Sequence, residues 1–151
     1  MPHLNPAIHR RSLLRAGFAL GAAAVVPAAR ACEFMTSTLR VTHPWTRATA
    51  HDASSAVLCM KFDEVVQSDR LILVASPVAA GAEMGGLNAG PLVDFFIPQG
   101  QESYLAEAGT HVRLLGLKFA LEVGRSYPLT LGFEKGGIYN ATLSVDYTRF
   151  K

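Results

Sequence analysis

Tyr139-Asn140-Ala141-Thr142-Leu143-Ser144-Val145-Asp146-Tyr147-Thr148 alternates strictly, with Tyr139, Ala141, Leu143, Val145 and Tyr147 set against Asn140, Thr142, Ser144, Asp146 and Thr148. Successive side chains of a β-strand leave opposite faces, so an apolar row backed by a hydroxyl-rich row predicts a half-buried antiparallel strand. Just upstream, Glu134-Lys135-Gly136-Gly137 supplies turn formers. Before it, Tyr127, Leu129, Leu131 and Phe133 again share one face, with Thr130 and Gly132 on the other. Two alternating runs joined by a short glycine-containing link predict a β-hairpin.

The same period runs upstream. Residues 55–62 put Ala56, Leu58, Met60 and Phe62 on one face and Val57, Cys59 and Lys61 on the other. Shorter strands are expected at residues 39–41, 71–75, 93–97 and 112–117. Between them lie Ser76-Pro77, Gly85-Gly86, Gly90-Pro91, Pro98-Gln99-Gly100 and Gly109-Thr110, all turn formers. No stretch carries a sustained helical stripe. About seven short strands at this spacing predict an all-β domain, either a β-sandwich or a Greek-key barrel. Neither a repeat nor a linker divides it, so one domain is expected over residues 32–151.

The first 31 residues read differently. A polar, basic start holding Arg10-Arg11 precedes the apolar run 16–26, which is too short for a bilayer core of about 30 Å. Pro27 breaks it, and Ala29-Arg30-Ala31 offers a small-x-small cleavage pattern. Paired arginines before an apolar run match a twin-arginine export signal, so a leader over residues 1–31 and a periplasmic location are expected. Arg10, Arg11, Arg15 and Arg30 fall in this leader and no acid does, which leaves ten basic against twelve acidic residues beyond it. A formal charge of +2 becomes −2, and a nucleic-acid partner loses its electrostatic basis. Cys32 follows the cleavage pattern, so a lipid there would attach the protein to the membrane. A Cys32–Cys59 disulfide is permitted by export, and a buried, inert Cys59 is the plainer reading.

Catalytic chemistry finds little support. No serine or cysteine sits in a nucleophile elbow, no glycine-rich phosphate loop opens a helix, and only His43, His51 and His111 follow the leader. These observations argue against an enzyme. The softer donors are Met35, Met60 and Met84 with those histidines, and thioether plus imidazole suits Cu(I). Met60 falls on an apolar strand face, where packing accounts for it. Met84 lies in Gly81-Ala82-Glu83-Met84-Gly85-Gly86, expected as an exposed loop, and His111 opens a strand at a sheet rim.

Several segments in order resemble the periplasmic copper-chaperone family called PCuAC. They are Val41-Thr42-His43-Pro44-Trp45-Thr46-Arg47-Ala48-Thr49, Ser55-Ala56-Val57, Asp69-Arg70-Leu71, Ser76-Pro77-Val78-Ala79-Ala80 with Ala82-Glu83, and Ile97-Pro98-Gln99-Gly100. The last two are His111-Val112-Arg113-Leu114-Leu115-Gly116-Leu117-Lys118 and the stretch from Tyr127-Pro128-Leu129 to Lys135-Gly136-Gly137. The resemblance implies a cupredoxin-like, immunoglobulin-like Greek-key β-sandwich and a role in carrying Cu(I) toward the copper centre of cytochrome oxidase. Its implied partners are an oxidase copper-centre subunit or another copper-assembly protein.

The same resemblance implies a site of which this chain keeps part. Gly85 stands where the family has its first histidine, residues 86–96 are shorter and hold no methionine, and Arg113 replaces the methionine that partners His111. The metal ligands implied here are His111 and Met84. Two readings follow: a divergent Cu(I) carrier drawing further donors from Met35 or His51, or a partner-binding assembly module that has lost the metal.

Overall fold

The computed structural model describes residues 33–147. The expected leader, Cys32 and Thr148 lie outside them. Among the described residues ten strands form: β1 (Glu33–Met35), β2 (Arg40–Arg47), β3 (Ser55–Asp63), β4 (Asp69–Ala75), β5 (Gly81–Gly85), β6 (Phe95–Ile97), β7 (Ser103–Leu105), β8 (His111–Leu115), β9 (Ser126–Phe133) and β10 (Gly137–Tyr147). The one helical piece described is a 3-10 turn at Gly86–Asn88. No helix among these residues is long and apolar enough to cross a membrane.

The β9–β10 hairpin forms in one unbroken register from Gly137 opposite Phe133 to Ser144 opposite Ser126. Leu129, Leu131, Phe133, Leu143 and Val145 are buried along it. Because the side-chain period is two, a one-residue slip of either strand would turn that strand's buried row to solvent, so the apolar pattern fixes the register. Residues 55–62 behave as their alternation predicts, with Ala56, Leu58, Met60 and Phe62 all buried.

The strands form one curled sheet in the order β5-β8-β3-β2-β10-β9-β4-β6, with β1 added on β2 and β7 on β3. One edge of β3 pairs with β2, while its other edge pairs with β8 over Ser55 to Leu58 and with β7 over Met60 to Phe62. The link from this half to the hairpin half is the parallel pairing of β2 with β10. The two halves close on a single core that holds Leu58, Val112 and Leu114 together with Leu71, Leu129 and Leu131. Phe62 spans them, meeting Phe133 edge-on at 6.1 Å and Phe95 at 5.9 Å. Each such fully buried side chain contributes about 1.5–3 kcal/mol. The expected all-β sandwich is the fold that forms.

Three strands were not expected. β1 and β7 have three residues each, too few to show a period, and β5 is rich in glycine. Ser144, expected on the wet row, is 8% exposed because β2 joins β10 there, with Ser144 opposite Trp45.

The hairpin turn is tied to the rest of the sheet by one buried carboxylate. Asp69, only 2% exposed, accepts hydrogen bonds from the Thr38 hydroxyl (2.7 Å) and from the backbone N–H groups of Arg70 (2.8 Å), Lys135 (2.8 Å) and Gly136 (2.9 Å). Burial alone would raise its pKa, but the bonds from Lys135, Thr38, Arg70 and Gly136 outweigh it and hold the carboxyl below its ordinary value.

Candidate metal site at the β5–β8 rim

β5 and β8 pair antiparallel with Glu83 opposite Arg113, Met84 opposite Val112 and Gly85 opposite His111. Directly opposed residues share a face and successive ones alternate. Met84 therefore points with Val112 into the core, where both are buried, while His111, Gly85, Arg113 and Glu83 share the outer face. This corrects the expectation of an exposed loop methionine: Met84 lies within β5, is 3% exposed, and its backbone makes a two-way bridge with Gly90. The sheet stands between Met84 and His111, so the two do not converge on one metal. Met84→Leu, which keeps the volume and removes the thioether, is expected to shift unfolding free energy by less than about 1.5 kcal/mol. Chemical denaturation of the variant checks this.

His111 does occupy the rim position expected of it, but it is enclosed. It is 9% exposed, and its Nδ1 is sealed from solvent without a hydrogen-bond partner. A Cβ placed on Gly85 would stand 2.6 Å from His111 Nε2 and 2.8 Å from Arg113 Cδ. The imidazole and the arginine stem thus both press on the space that a side chain at position 85 would fill. The Arg113 guanidinium reaches on to Glu83 Oε1 at 3.0 Å and Ser55 Oγ at 3.4 Å. Sequence reading found Gly85 and Arg113 but missed Glu83 and Ser55. Only the register sets these two beside the arginine, and neither spacing nor composition signals it.

The other donors lie elsewhere. Met35 is exposed on β1 opposite Arg40, which in turn faces Asp63 at the far end of β3. His51 lines clefts formed with Ala120, Glu122 and their neighbours, neither of which includes His111. His43, at a break in the β2–β3 register, pairs with Asp146, and Met60 is in the core. Cys59 is 1% exposed, a free thiol whose pKa is pushed up to about 12, first by burial and then by the Glu107 charge. A protonated thiol is a poor metal ligand. Among the described residues no three His, Cys, Asp or Glu side chains gather as a metal would need. On the outer face, a lone enclosed imidazole beside a cation does not fit a Cu(I) cargo, which takes at least two soft or imidazole donors.

Residues 39–145 match the LpqE-like family, which is described by reference to a lipoprotein. The chain belongs to the LpqE-like family. Solved structures connect this LpqE-like chain to PCuAC copper-chaperone domains. The apo PCuAC domain of PmoF1 is 30% identical with a TM-score of 0.69, over 76% of this chain and 98% of that one. The copper-bound PCuAC domain of PmoF2 is 26% identical with the same TM-score, over 76% and 97%. The Cu(I) form of DR1885 from Deinococcus radiodurans, 23% identical with a TM-score of 0.58 over 78% and 83%, shows the shared fold alone. No curated protein matches by sequence. The LpqE-like domain is therefore a PCuAC domain, and the cupredoxin-like architecture implied by its segments is the one it has. The copper held by the PmoF2 domain supports a copper-handling role.

Proposed function

We propose that this LpqE-like protein serves copper handling in the periplasm as a partner-binding module that keeps the PCuAC fold without carrying Cu(I) on a His/Met site. The observation that carries the reading is the β5–β8 register, which turns Met84 into the core and leaves His111 enclosed beside Gly85 and Arg113. The fold tolerates such a loss because its core comes from alternating strand residues and not from a metal. The paired arginines and apolar run of residues 1–31 support export by the twin-arginine route. The partners that best suit the reading are an oxidase copper-centre subunit or another copper-assembly protein. Membrane attachment follows only if Cys32 takes a lipid, an outcome the family's lipoprotein description favours. The carrier reading draws its support from the copper bound by the PmoF2 domain.

Complementation separates the two readings. In a strain lacking this protein, the wild-type chain and His111→Ala are expected to restore oxidase copper content equally. A carrier that uses His111 would instead lose most of the restoration in the variant, and that result returns the function to metal transfer.

A further inference from the structure

The outer face of β2, β3 and β7 carries a groove of about 510 Å³, lined by neither His111 nor Arg113. Ligand sites have volumes of about 300–1,000 Å³. Thr42, Lys61 and Tyr104 lie opposite one another across the three strands, and Cys59 and Trp45 form the next outward pair. Trp45 reaches this face through a β-bulge. Continued without a break, the register that sets Thr42 opposite Lys61 would place Trp45 opposite Leu58, a core residue. One extra residue in β2 sets it opposite Cys59 instead and turns its ring outward. The bulge holds His43 at a φ of 52°, in the left-handed region that residues with side chains seldom adopt. Strain of that kind persists only where the surrounding structure imposes it, and its product here is an indole on the outer face.

Both aromatic walls of the groove are braced. Trp45 meets Tyr147 edge-on at 4.8 Å, and Tyr104 donates its hydroxyl proton to Glu102 at 2.6 Å while the Lys61 ammonium stands 5.9 Å from its ring centre. The lining holds no unpaired charge. Lys61 is paired with Asp63 (3.1 Å) and Glu102 (2.8 Å), Glu107 with Arg47 (2.5 Å), and His43 with Asp146. A charged occupant would have to break one of these pairs to find a counter-ion, whereas an uncharged one disturbs none. One donor remains open: Trp45 is half-buried, and among the described residues no acceptor meets its indole N–H. Aromatic faces beside a free donor suit a polyproline II segment, whose rings pack on them and whose carbonyls, lacking internal hydrogen bonds, are free to accept. We infer that this groove binds an uncharged, proline-containing extended segment of a protein partner, its rings against Trp45 and Tyr104 and a main-chain carbonyl on the indole N–H. Tyr104 is 55% exposed, so the groove is open on that side for a chain to pass. The inference rests on the partner-binding reading and supplies the chemistry by which the partner is held.

Trp45 is the single tryptophan of the chain, so its emission reads the groove directly. Titration of the full chain with an end-blocked oligoproline is expected to shift that emission saturably, with half-saturation at about 1 mM or below. A glycine–serine peptide of the same length should give no shift, and an oligoproline with a central glutamate should bind at least about tenfold more weakly. Tyr104→Ala, at an exposed position, is expected to weaken oligoproline binding at least about fivefold. Trp45→Phe keeps a ring and loses the N–H. Read by NMR shifts at Thr42 and Tyr104, it should weaken binding about threefold to tenfold. Circular dichroism confirms that each variant is folded. An absent or non-saturating shift, equal binding of the glycine–serine or glutamate peptide, or unchanged binding in folded Tyr104→Ala overturns the assignment. An emission shift that follows protein concentration without peptide would make a second copy of the chain the occupant, and overturns it too. Loss of oxidase copper in His111→Ala would instead contradict the reading on which the inference rests, whether or not the peptide binds, so the two failures are distinguishable.

Discussion

Asp69→Ala is expected to lower the unfolding free energy by about 3–5 kcal/mol, making it among the most damaging single substitutions in the domain. The carboxylate is the common acceptor for Thr38, Arg70, Lys135 and Gly136. Alanine would leave these donors without a partner in a place water cannot easily reach. Asp69→Asn keeps the volume but offers one acceptor oxygen and turns an N–H₂ group toward other donors, so most of the loss should remain. The variant also tests the pH dependence. Asp69 and Asp63 are both held below the ordinary aspartate value, Asp63 chiefly by its hydrogen bonds from Arg40. A depressed carboxyl gives stability that is fully present above the unfolded pKa of about 3.9 and is lost as pH falls through the lower folded value. Urea unfolding of the wild type should thus be nearly level above about pH 5 and weaken steeply below pH 4, with a shallower fall in Asp69→Asn. A variant within 1 kcal/mol of wild type would remove Asp69 from its place as the tie between hairpin and sheet.

The second large effect is a gain. Pairing Gly85→His with Arg113→Met is expected to strengthen Cu(I) binding by at least about a hundredfold over the wild type. The register sets positions 85, 111 and 113 on one outer face of β5 and β8. The double change therefore supplies a second imidazole and a thioether beside His111 and removes the cation. The two substitutions depend on each other. Gly85→His alone would drive its Cβ within 3 Å of both His111 and the Arg113 stem, so it should destabilise the protein and bind little copper. The double variant replaces a stem anchored on Glu83 and Ser55 with an unanchored thioether that can shift aside, leaving only the His111 ring to turn from its 2.6 Å approach. Adding His111→Ala to the pair should abolish the gain. Chelator competition on the four proteins reads the whole cycle, and a double variant no better than wild type would mean that the outer face cannot seat the metal even with its donors restored.

Much of the fold was legible because alternation is a local property. Residues 55–62 and the two halves of the closing hairpin announce their buried faces in their own side chains, and the core they form is the one their pattern requires. The short strands β1, β5 and β7 were not legible, since three residues carry no period and Gly81 and Gly85 dilute the signal of β5. That gap carried through to the site. With residues 81–86 read as a loop, Met84 looked like a free thioether near His111. Once β5 forms, a single register decides that Met84 is core and that Gly85, Arg113 and His111 share the opposite face. The ion pair of Arg113 with Glu83 and the four bonds on Asp69 join residues 30 to 67 positions apart, apart from the local Arg70 contact. Such pairings exist only after the sheet has curled, and no motif spacing encodes them.

The most direct test of the central claim, that this PCuAC domain has kept its fold and given up its copper, is competition of the full wild-type chain for Cu(I) against a colorimetric chelator under anaerobic conditions. The account predicts that the chelator retains its copper and that wild type and His111→Ala give superimposable titrations. Stoichiometric transfer of Cu(I) to the wild type, reversed by His111→Ala, would contradict it.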